Sequence, residues 1–443
     1  MKKTVAILLT FIMLLSACSP AVDTKKQEST SVNEKAQKEE EAIVQEASEE
    51  EKIEPEEIPL PQSELILWHS FSDEFQGELD RIVEIYNNMD NGIKVKTIRQ
   101  EPESLQETLE ESSEGEVDIL IDFPFAYPTQ TIESKMVDLD QYIRDSEIGI
   151  ANFDSIIPSN ISEEGTQLGG RYMIPLVKTG ELLYYNKTLL DSLGLEAPVT
   201  WDEIGAHSER IYSELGITGF GSESSTELAD LLINQYTDNI YKSQDVSLIQ
   251  PKLIETLLML QNGYQIGLFK TPSEQGSLLG AFENGELGMF MMSSYYSVFM
   301  VPEELEFEVG YTNIPQNPQK PYIPLNGPSV FILKTDESRQ RASFDFLKYL
   351  ISEQTNVELA TLYHGITPFK YSSNQTYIKY LDENPALKVL ATSLDSGTSI
   401  PTVDGILRIR ENLKEIIDRI SEGEAVEDVL NSAASQIRSI MSE

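Results

Sequence analysis

Apolar residues along this chain fall into several patterns, and each predicts a different element. The first is a continuous run from Val5 to Leu15, broken only by Thr10 and preceded by Lys2 and Lys3. A membrane-spanning helix needs about 20 apolar residues, and this run is about half that length. It reads as the hydrophobic region of a secretory signal segment. From Ser63 onward, short apolar runs alternate with stretches of helical period. Leu65, Ile66, Leu67 and Trp68 form a run of buried-strand type. Leu79, Ile82, Val83 and Tyr86 then recur at helical spacing, and Asn91-Gly92 closes that helix. "IKVKTI" alternates as a strand, and "VDILIDF" is a second continuous apolar strand. This succession predicts an α/β unit with a largely parallel sheet. Ligands of such sheets sit outside the carboxyl ends of the strands, here His69-Ser70 and Asp122-Phe123.

A second unit opens with a strand at Leu182 to Tyr185 that leads into a helix. Thr200, followed by Trp201, Asp202 and Glu203, predicts an N-cap with acidic first-turn residues. From there to about Glu286 the pattern is mostly helical. "LGMFMMSSYYSV" is the next strand and strand-to-helix turn, and "FEVGYTNIP" and "NGPSVFIL" follow as strands. "ASFDFLKYLISEQTNVELATLYHG" predicts an amphipathic helix pair. Two more helices follow from Ile406, with Leu413, Ile416, Ile417 and Ile420 on one apolar face and Val429, Leu430, Ala433 and Ile437 on the other.

Composition narrows the function classes. Residues 63–443 are enough for one large two-lobed globule or two domains with sizeable cores. Between Ser19 and Pro61 the chain is Glu, Lys, Ser and Gln with almost no aromatics, a composition that predicts a disordered tether, with a helical stalk as the rival reading. The formal net charge of −41 argues against nucleic acid as a partner, because phosphate binding needs a basic face. With 3 histidines and 1 cysteine, a His/Cys metal site is not expected, and no EF-hand spacing appears. There is no nucleophile elbow, HExxH or phosphate-cradling loop. A carboxylate pair of the glycoside-hydrolase kind is available among 74 acidic residues, but availability alone assigns nothing. No catalytic residue, metal ligand or cofactor is therefore expected.

The single cysteine, Cys18, ends Leu15-Ser16-Ala17-Cys18, which resembles the lipobox of bacterial lipoproteins. That resemblance implies removal of residues 1–17 and a diacylglycerol on Cys18, with 18–62 as the tether. The protein would then be held by lipid at the outer face of the cytoplasmic membrane, or in the periplasm where a second membrane exists. The globular part resembles the extracellular solute-binding proteins of ABC importers, in the large sugar-binding family that includes the maltose- and glycerol-phosphate-binding proteins. The likeness is carried in order by "WHSFSDEFQGELDRIVEIYN", "LLYYNKTLLDSLGL…PVTWDEI", "AFENGELGMFMMSSYY" and "ASFDFLKYLISEQTNVELATLYHGITPF". It implies an α/β, two-lobed periplasmic-binding-protein-like fold with chain exchange and a central cleft. The lobes would be 63–175 plus 313–368 and 176–312 plus 369–443, with crossings near Pro175–Lys178, Tyr311–Pro315 and Thr367–Lys370. It further implies a monomer that takes a sugar, oligosaccharide or polyol and delivers it to ABC permease subunits.

Sugars present apolar CH faces and many hydroxyls, so aromatic platforms and short polar side chains at cleft turns are the candidate contacts. Trp68 and His69 end the first strand, and Ser70 and Glu74 fall in the following turn or first helical turn; Asp122 and Phe123 end "ILIDF"; Ser293, Ser294 and Tyr295 follow a later strand; Asn326 and Gly327 sit in "LNGPS", and His364 at a helix end. Each has a purely structural rival: core packing for Trp68, a hydrogen-bonded histidine for His69, a cap for Asp122, a turn for Asn326-Gly327 and a helix terminus for His364. Trp201 reads as structural. A glycerol 3-phosphate or glycerophosphodiester ligand is the alternative within the family, but Arg408 and Arg410 lie several residues beyond the place where the resemblance expects a phosphate-holding arginine. An exported glycoside-active enzyme or a surface interaction protein is the alternative outside it.

Overall fold

A computed structural model describes residues 63–166, 168–242, 246–272, 277–371 and 373–443, without the side chains of residues 73, 74 and 303. The signal segment, Cys18 and the tether lie outside the described residues. Within them the fold is built on two sheets. The strands are β1 (Ser63–His69), β2 (Ile93–Arg99), β3 (Ile119–Asp122), β4 (Ile174–Pro175), β5 (Thr179–Asn186), β6 (Thr218–Ser222), β7 (Phe269–Lys270), β8 (Leu287–Ser293), β9 (Val309–Asn313), β10 (Pro324–Asn326), β11 (Ser329–Ile332) and β12 (Thr398–Ser399). The first sheet has the order β2-β1-β3-β11-β4; the second runs β12-β10-β5-β8-β6-β7, and β9 also pairs with β5.

Strands β1, β2 and β3 are parallel, as the strand-helix succession predicts, while β11 and β4 enter antiparallel. Helix α1 (Asp73–Asn87) covers β2, with Leu79, Ile82, Val83 and Tyr86 all buried. In the second unit, α2 (Trp201–Leu215), α3 (Ser225–Tyr236) and α4 (Pro251–Gln265) lie over one face of the sheet. The helix pair α5 (Glu337–Leu350) and α6 (Glu353–Leu362) returns to the first sheet and to α1. Helices α7 (Ile406–Ser421) and α8 (Val426–Ile440) pack on each other and against α3 and α4, burying the two apolar faces read from the sequence.

Both sheets are covered on both faces, which is why their strands read as unbroken apolar runs. Along β5, Leu182 and Tyr184 join one hydrophobic cluster while Leu183 joins another. The strand β6 falls inside the stretch whose pattern predicts mainly helix. Its sequence, Thr-Gly-Phe-Gly-Ser, has only one large apolar residue and little strand propensity. The glycines are there for packing: a Cβ on Gly219 would sit 2.2 Å from the Cβ of Ser208 in α2.

At the start of α2, Thr200 accepts from the Glu203 N–H and the Glu203 carboxylate accepts from the Thr200 N–H, closing a capping box. Trp201, the first residue of that helix, is buried and donates from Nε1 to Gln235 Oε1 at 3.1 Å. Thr200→Ala is expected to cost about 1 kcal/mol. Denaturant unfolding would show this as a lower midpoint with an unchanged slope; an unchanged midpoint would mean that the packing of Trp201 fixes the helix start.

The chain passes between the sheets beside itself. It leaves β4 at Pro175 and enters β5 at Thr179; later it leaves β10 at Asn326 and enters β11 at Ser329. Leu176 N–H donates to Pro328 O at 3.0 Å, and Lys178 and Ile366 exchange two backbone hydrogen bonds of 2.8 Å. Asn356 ties Leu176 O from α6 at 2.9 Å. The second passage differs from the sequence expectation of Tyr311–Pro315. Residues 313 and 324–326 both belong to strands that pair with β5, so the switch comes only at Gly327-Pro328. That pairing is invisible locally, because β10 is only three residues long.

Candidate functional site

A cavity of about 570 Å³ opens where the carboxyl ends of the parallel strands β6 and β8 meet the beginning of β5 and the end of β10. Each wall has a local cause. After β6, Glu223 and Ser224 turn the chain into α3, where Ser224 caps the helix by accepting from the Glu227 N–H at 3.2 Å. Glu223 holds the opposite rim, its Oε2 accepting from the Leu278 N–H at 2.9 Å. From β5 come Thr179 and Glu181, from the end of β8 Ser293, and from β10 Asn326, with Tyr296 and Phe299 exposed at the edge.

The electrostatics are lopsided. Glu181, Glu223 and Glu227 line the cavity, and no Lys, Arg or His is among its described lining residues. Arg410, behind the wall on α7, is paired with Glu227. Arg408 is on the surface, paired with the terminal Glu443. Asp230, one helical turn deeper, accepts from the hydroxyls of Tyr241 and Tyr322, and burial above all raises its pKa to about 6. Glu181 is raised well above the ordinary carboxylate range, first by burial and then by repulsion from Glu227 and Glu223, with Arg410 opposing.

An aromatic chain runs from the end of β1 to this cavity. Phe71 lies 5.4 Å from His69 and 5.8 Å from Tyr363, Tyr363 lies 5.5 Å from Tyr295, and Tyr295 lies 5.3 Å from Tyr296, all between ring centroids. Phe75 closes on Phe71 and Tyr363 at 4.5 and 5.3 Å. The carboxyl end of the first sheet and the cavity of the second are thus joined by one set of rings.

The structure separates the residues that the sequence nominates. Ser293 and Asn326 line the cavity. Tyr295 and His364 meet in the aromatic chain at 6.4 Å, with His364 at φ 52° closing α6. Ser70 and Asp122 come together at the end of the first sheet, where Ser70 donates to Oδ1 of Asp122 at 2.7 Å and Tyr127 donates to Oδ2 at 2.5 Å. Burial is the largest influence on Asp122 and raises its pKa against those hydrogen bonds. Trp68 does not reach the cavity; it is buried beside Leu105, Leu120 and Phe331. His69 is fully buried, its Nδ1 accepting from the Phe71 N–H at 3.2 Å, and burial pushes its pKa down to about 4. It therefore stays neutral at neutral pH and supports the turn. Ser294 is buried and accepts from the Gly180 N–H at 3.2 Å. Phe123 is half-buried against Phe125, and Gly327 faces the backbone of Val177. Glu74 lies in the first turn of α1, and its side chain is outside the described residues.

Glu181, Glu223 and Glu227 were not singled out by the sequence. For Glu181 one signal was present: it is the lone acid in "TGELLYYN", a strand otherwise dominated by apolar residues. For the other two there was none, since acidic residues at a helix start are the ordinary preference.

Two sheets whose chain passes between them side by side, with a polar cavity at strand carboxyl ends, define a two-lobed α/β binding fold. Residues 81–389, more than half of the chain, match the bacterial extracellular solute-binding protein family, and the chain belongs to it. A curated binding protein of Brucella abortus (strain 2308) is 21% identical over 284 residues, 62% of this chain and 68% of that protein. Among solved structures, the sugar-binding protein MalE of Xanthomonas citri superposes with a TM-score of 0.73 at 17% identity, covering 86% of this chain and 98% of that one. The cyclic α-maltosyl-1,6-maltose binding protein of Arthrobacter globiformis gives 0.71 at 19% identity over 86% and 99%. UgpB of Mycobacterium tuberculosis, in complex with glycerophosphocholine, gives 0.68 at 16% identity over 86% and 99%.

Proposed function

We propose that this protein is the capture subunit of an ABC importer, tethered outside the cytoplasmic membrane by lipid on Cys18, that closes on a sugar, oligosaccharide or polyol and delivers it to the permease. The observation that carries the reading is the cavity at the ends of β6 and β8, which Thr179, Glu181, Ser293 and Asn326 line together with the aromatic residues Tyr296 and Phe299. Hydroxyls and carboxylates partner sugar hydroxyls, and ring faces partner CH surfaces. Its working parts would be a lobe on the first sheet, residues 63–175 and about 327–368, and a lobe on the second formed by the rest of the described chain. Closure would turn on the passages at 176–178, 327–328 and about 366–370. Of the residues nominated by sequence, Ser293 and Asn326 line the cavity and Tyr295 packs edge-on against its rim residue Tyr296; Ser70 and Asp122 at the end of the first sheet, and His364 beside Tyr295, would meet the solute from the other lobe. The binding fold and family give no support to catalysis.

A phosphate ligand is disfavoured by the same walls. Three carboxylates line the cavity and both late arginines are already paired. A phosphate needs a guanidinium fork or a cluster of donors.

The test is a thermal-shift panel of mono- and oligosaccharides, polyols, glycerol 3-phosphate and glycerophosphodiesters. A saturable rise with a sugar or polyol is expected, and at a ligand concentration 100 times Kd the stabilisation is about 2.7 kcal/mol. A rise with phosphates alone would replace the sugar reading by the glycerophosphate one. No rise with any of them would remove both.

A further inference from the structure

We propose that the solute held in this cavity carries a protonated amine among its hydroxyls, in the simplest case an amino sugar, and that Glu181 receives that amine. The proposal rests on the sugar-receptor reading above and sharpens it to a substrate class.

Glu181 is only 7% exposed, lines the cavity, and has an Oε2 with no hydrogen-bond partner among the described residues. A buried polar atom without a partner is costly, so such atoms are rare where the fold can satisfy them. Here the fold supplies nothing. The β5 backbone is engaged by β8 and β9, and the following residues Leu182, Leu183 and Tyr184 are packed in the core. Glu181 forms part of the cavity wall, and its Oε2 is itself shielded from solvent, so an occupant must press in against that wall to reach it.

Charge selects what should fill it. Glu181 is faced by Glu227 from α3, by Glu223 from the turn before α3 and by Arg410 from α7, with Asp230 deeper on α3 and Tyr184 beside it on β5. What β8 and β10 add to the cavity wall is uncharged: Met292, Ser293, Pro324 and Asn326. Arg410 pairs with Glu227 through Nη2, and its Nη1 is buried without a hydrogen-bond partner among the described residues; one guanidinium against Glu181, Glu223 and Glu227 still leaves the carboxylates in excess. A ligand hydroxyl would give Glu181 one donor and leave the surplus of negative charge unchanged. An ammonium gives up to three donors and relieves the repulsion among the carboxylates. Tyr296 and Phe299, 46% and 60% exposed at the rim, offer ring faces that attract a cation. A metal ion is a poor alternative occupant, because no group of His, Cys, Asp or Glu among the described residues is arranged to hold one.

The arrangement also links binding to protons. Burial and the neighbouring carboxylates raise the Glu181 pKa well above the usual carboxylate range, which favours its protonated form while no cation is present. An arriving ammonium pairs with the carboxylate form, and the displaced proton goes to solvent. Affinity for an amine should therefore rise as the pH is raised toward and past the Glu181 pKa, as long as the amine itself keeps its proton.

The deciding measurement is isothermal titration of the purified protein with the free-amine glucosamine trimer, its fully N-acetylated counterpart and maltotriose, in two buffers of different ionisation enthalpy. The free-amine trimer is expected to bind at least about tenfold more tightly than either neutral trimer, the scale of one charge-assisted hydrogen bond. Its heat should differ between buffers in the sense of proton release. Glu181→Gln should lose both the preference and the release while its unliganded melting temperature is retained. Should that variant fail to fold, Glu223→Gln, which keeps an acceptor for Leu278, should weaken the preference several-fold. A neutral trimer binding as tightly as the amine would overturn the amine proposal and leave the sugar-receptor reading standing. Binding by none of the three would overturn the amine proposal as stated and leave the sugar-receptor reading to the wider panel of sugars and polyols. Undiminished amine preference in Glu181→Gln would show that another group receives the amine.

Discussion

Replacing Lys178 by Met is expected to cost about 3–5 kcal/mol of folding stability, the scale for breaking a buried ion pair by removing one partner. Lys178 and Glu164 are 1% and 2% exposed at their side chains and are paired with each other. The Ser329 hydroxyl also donates to Glu164, at 3.2 Å. With Lys178 gone, that hydroxyl is left to support a buried carboxylate whose desolvation is no longer offset. The double variant Lys178→Met/Glu164→Leu should recover most of the loss, because a charge pair replaced by apolar groups of similar volume is often neutral. Urea unfolding of the two single variants and the double variant gives the coupling directly. A loss below about 1 kcal/mol in the Lys178 single variant would mean that water reaches Glu164. The backbone of Lys178 is bonded to Ile366, so this charge sits at the junction of the passages between sheets.

Gly327→Ala is expected to be about as damaging as severe overpacking, about 3 kcal/mol or more. An added Cβ would lie 2.0 Å from the carbonyl oxygen of Val177 and 2.9 Å from its carbon, and the backbone there is at φ 155°. Both obstacles are backbone, so no side chain can swing away. The passages would have to separate, straining the Leu176–Pro328 hydrogen bond of 3.0 Å. Gly280→Ala is the control: it has nothing within 4 Å of the added Cβ and ordinary backbone torsions, so its unfolding midpoint should hold or rise. If Gly327→Ala unfolds at the wild-type midpoint, the two passages are free to move apart, and the close approach is incidental to stability.

Both predictions fall where reading the sequence stopped. Gly327 was nominated for close approach to a ligand; the approach is real, but it is to Val177. Lys178 was noted only as the end of a crossing. Its partner Glu164 is one acid among many, and nothing in the spacing of the two joins them. Trp68 and His69 show the converse. They stand at a strand end where ligands gather, yet both are buried, and the groups accessible from the cavity arrive from β5, β8, β10 and the start of α3. Ser293 was nominated because it follows an apolar run and Asn326 because Gly327 beside it allows close backbone approach, and both line the cavity. Tyr295 was nominated with Ser293, whereas its link to Phe71 through Tyr363 joins residues nearly 300 positions apart.

What the sequence determined by itself is what depends on neighbours in the chain: the apolar runs of β1, β3, β5 and β8, the periodicity of α1, α5, α7 and α8, and the Thr200 cap. These follow from backbone geometry and the need to bury one face, so a local window contains their cause. The order of motifs added the family. Only the tertiary structure decided that β10 stays with β5, that Gly-rich β6 is an interior strand, and that Glu181 shares a cavity with Glu223 and Glu227 in front of Arg410. Those outcomes depend on which faces meet across long separations, and a carboxylate acquires its charge state and its partner from that meeting.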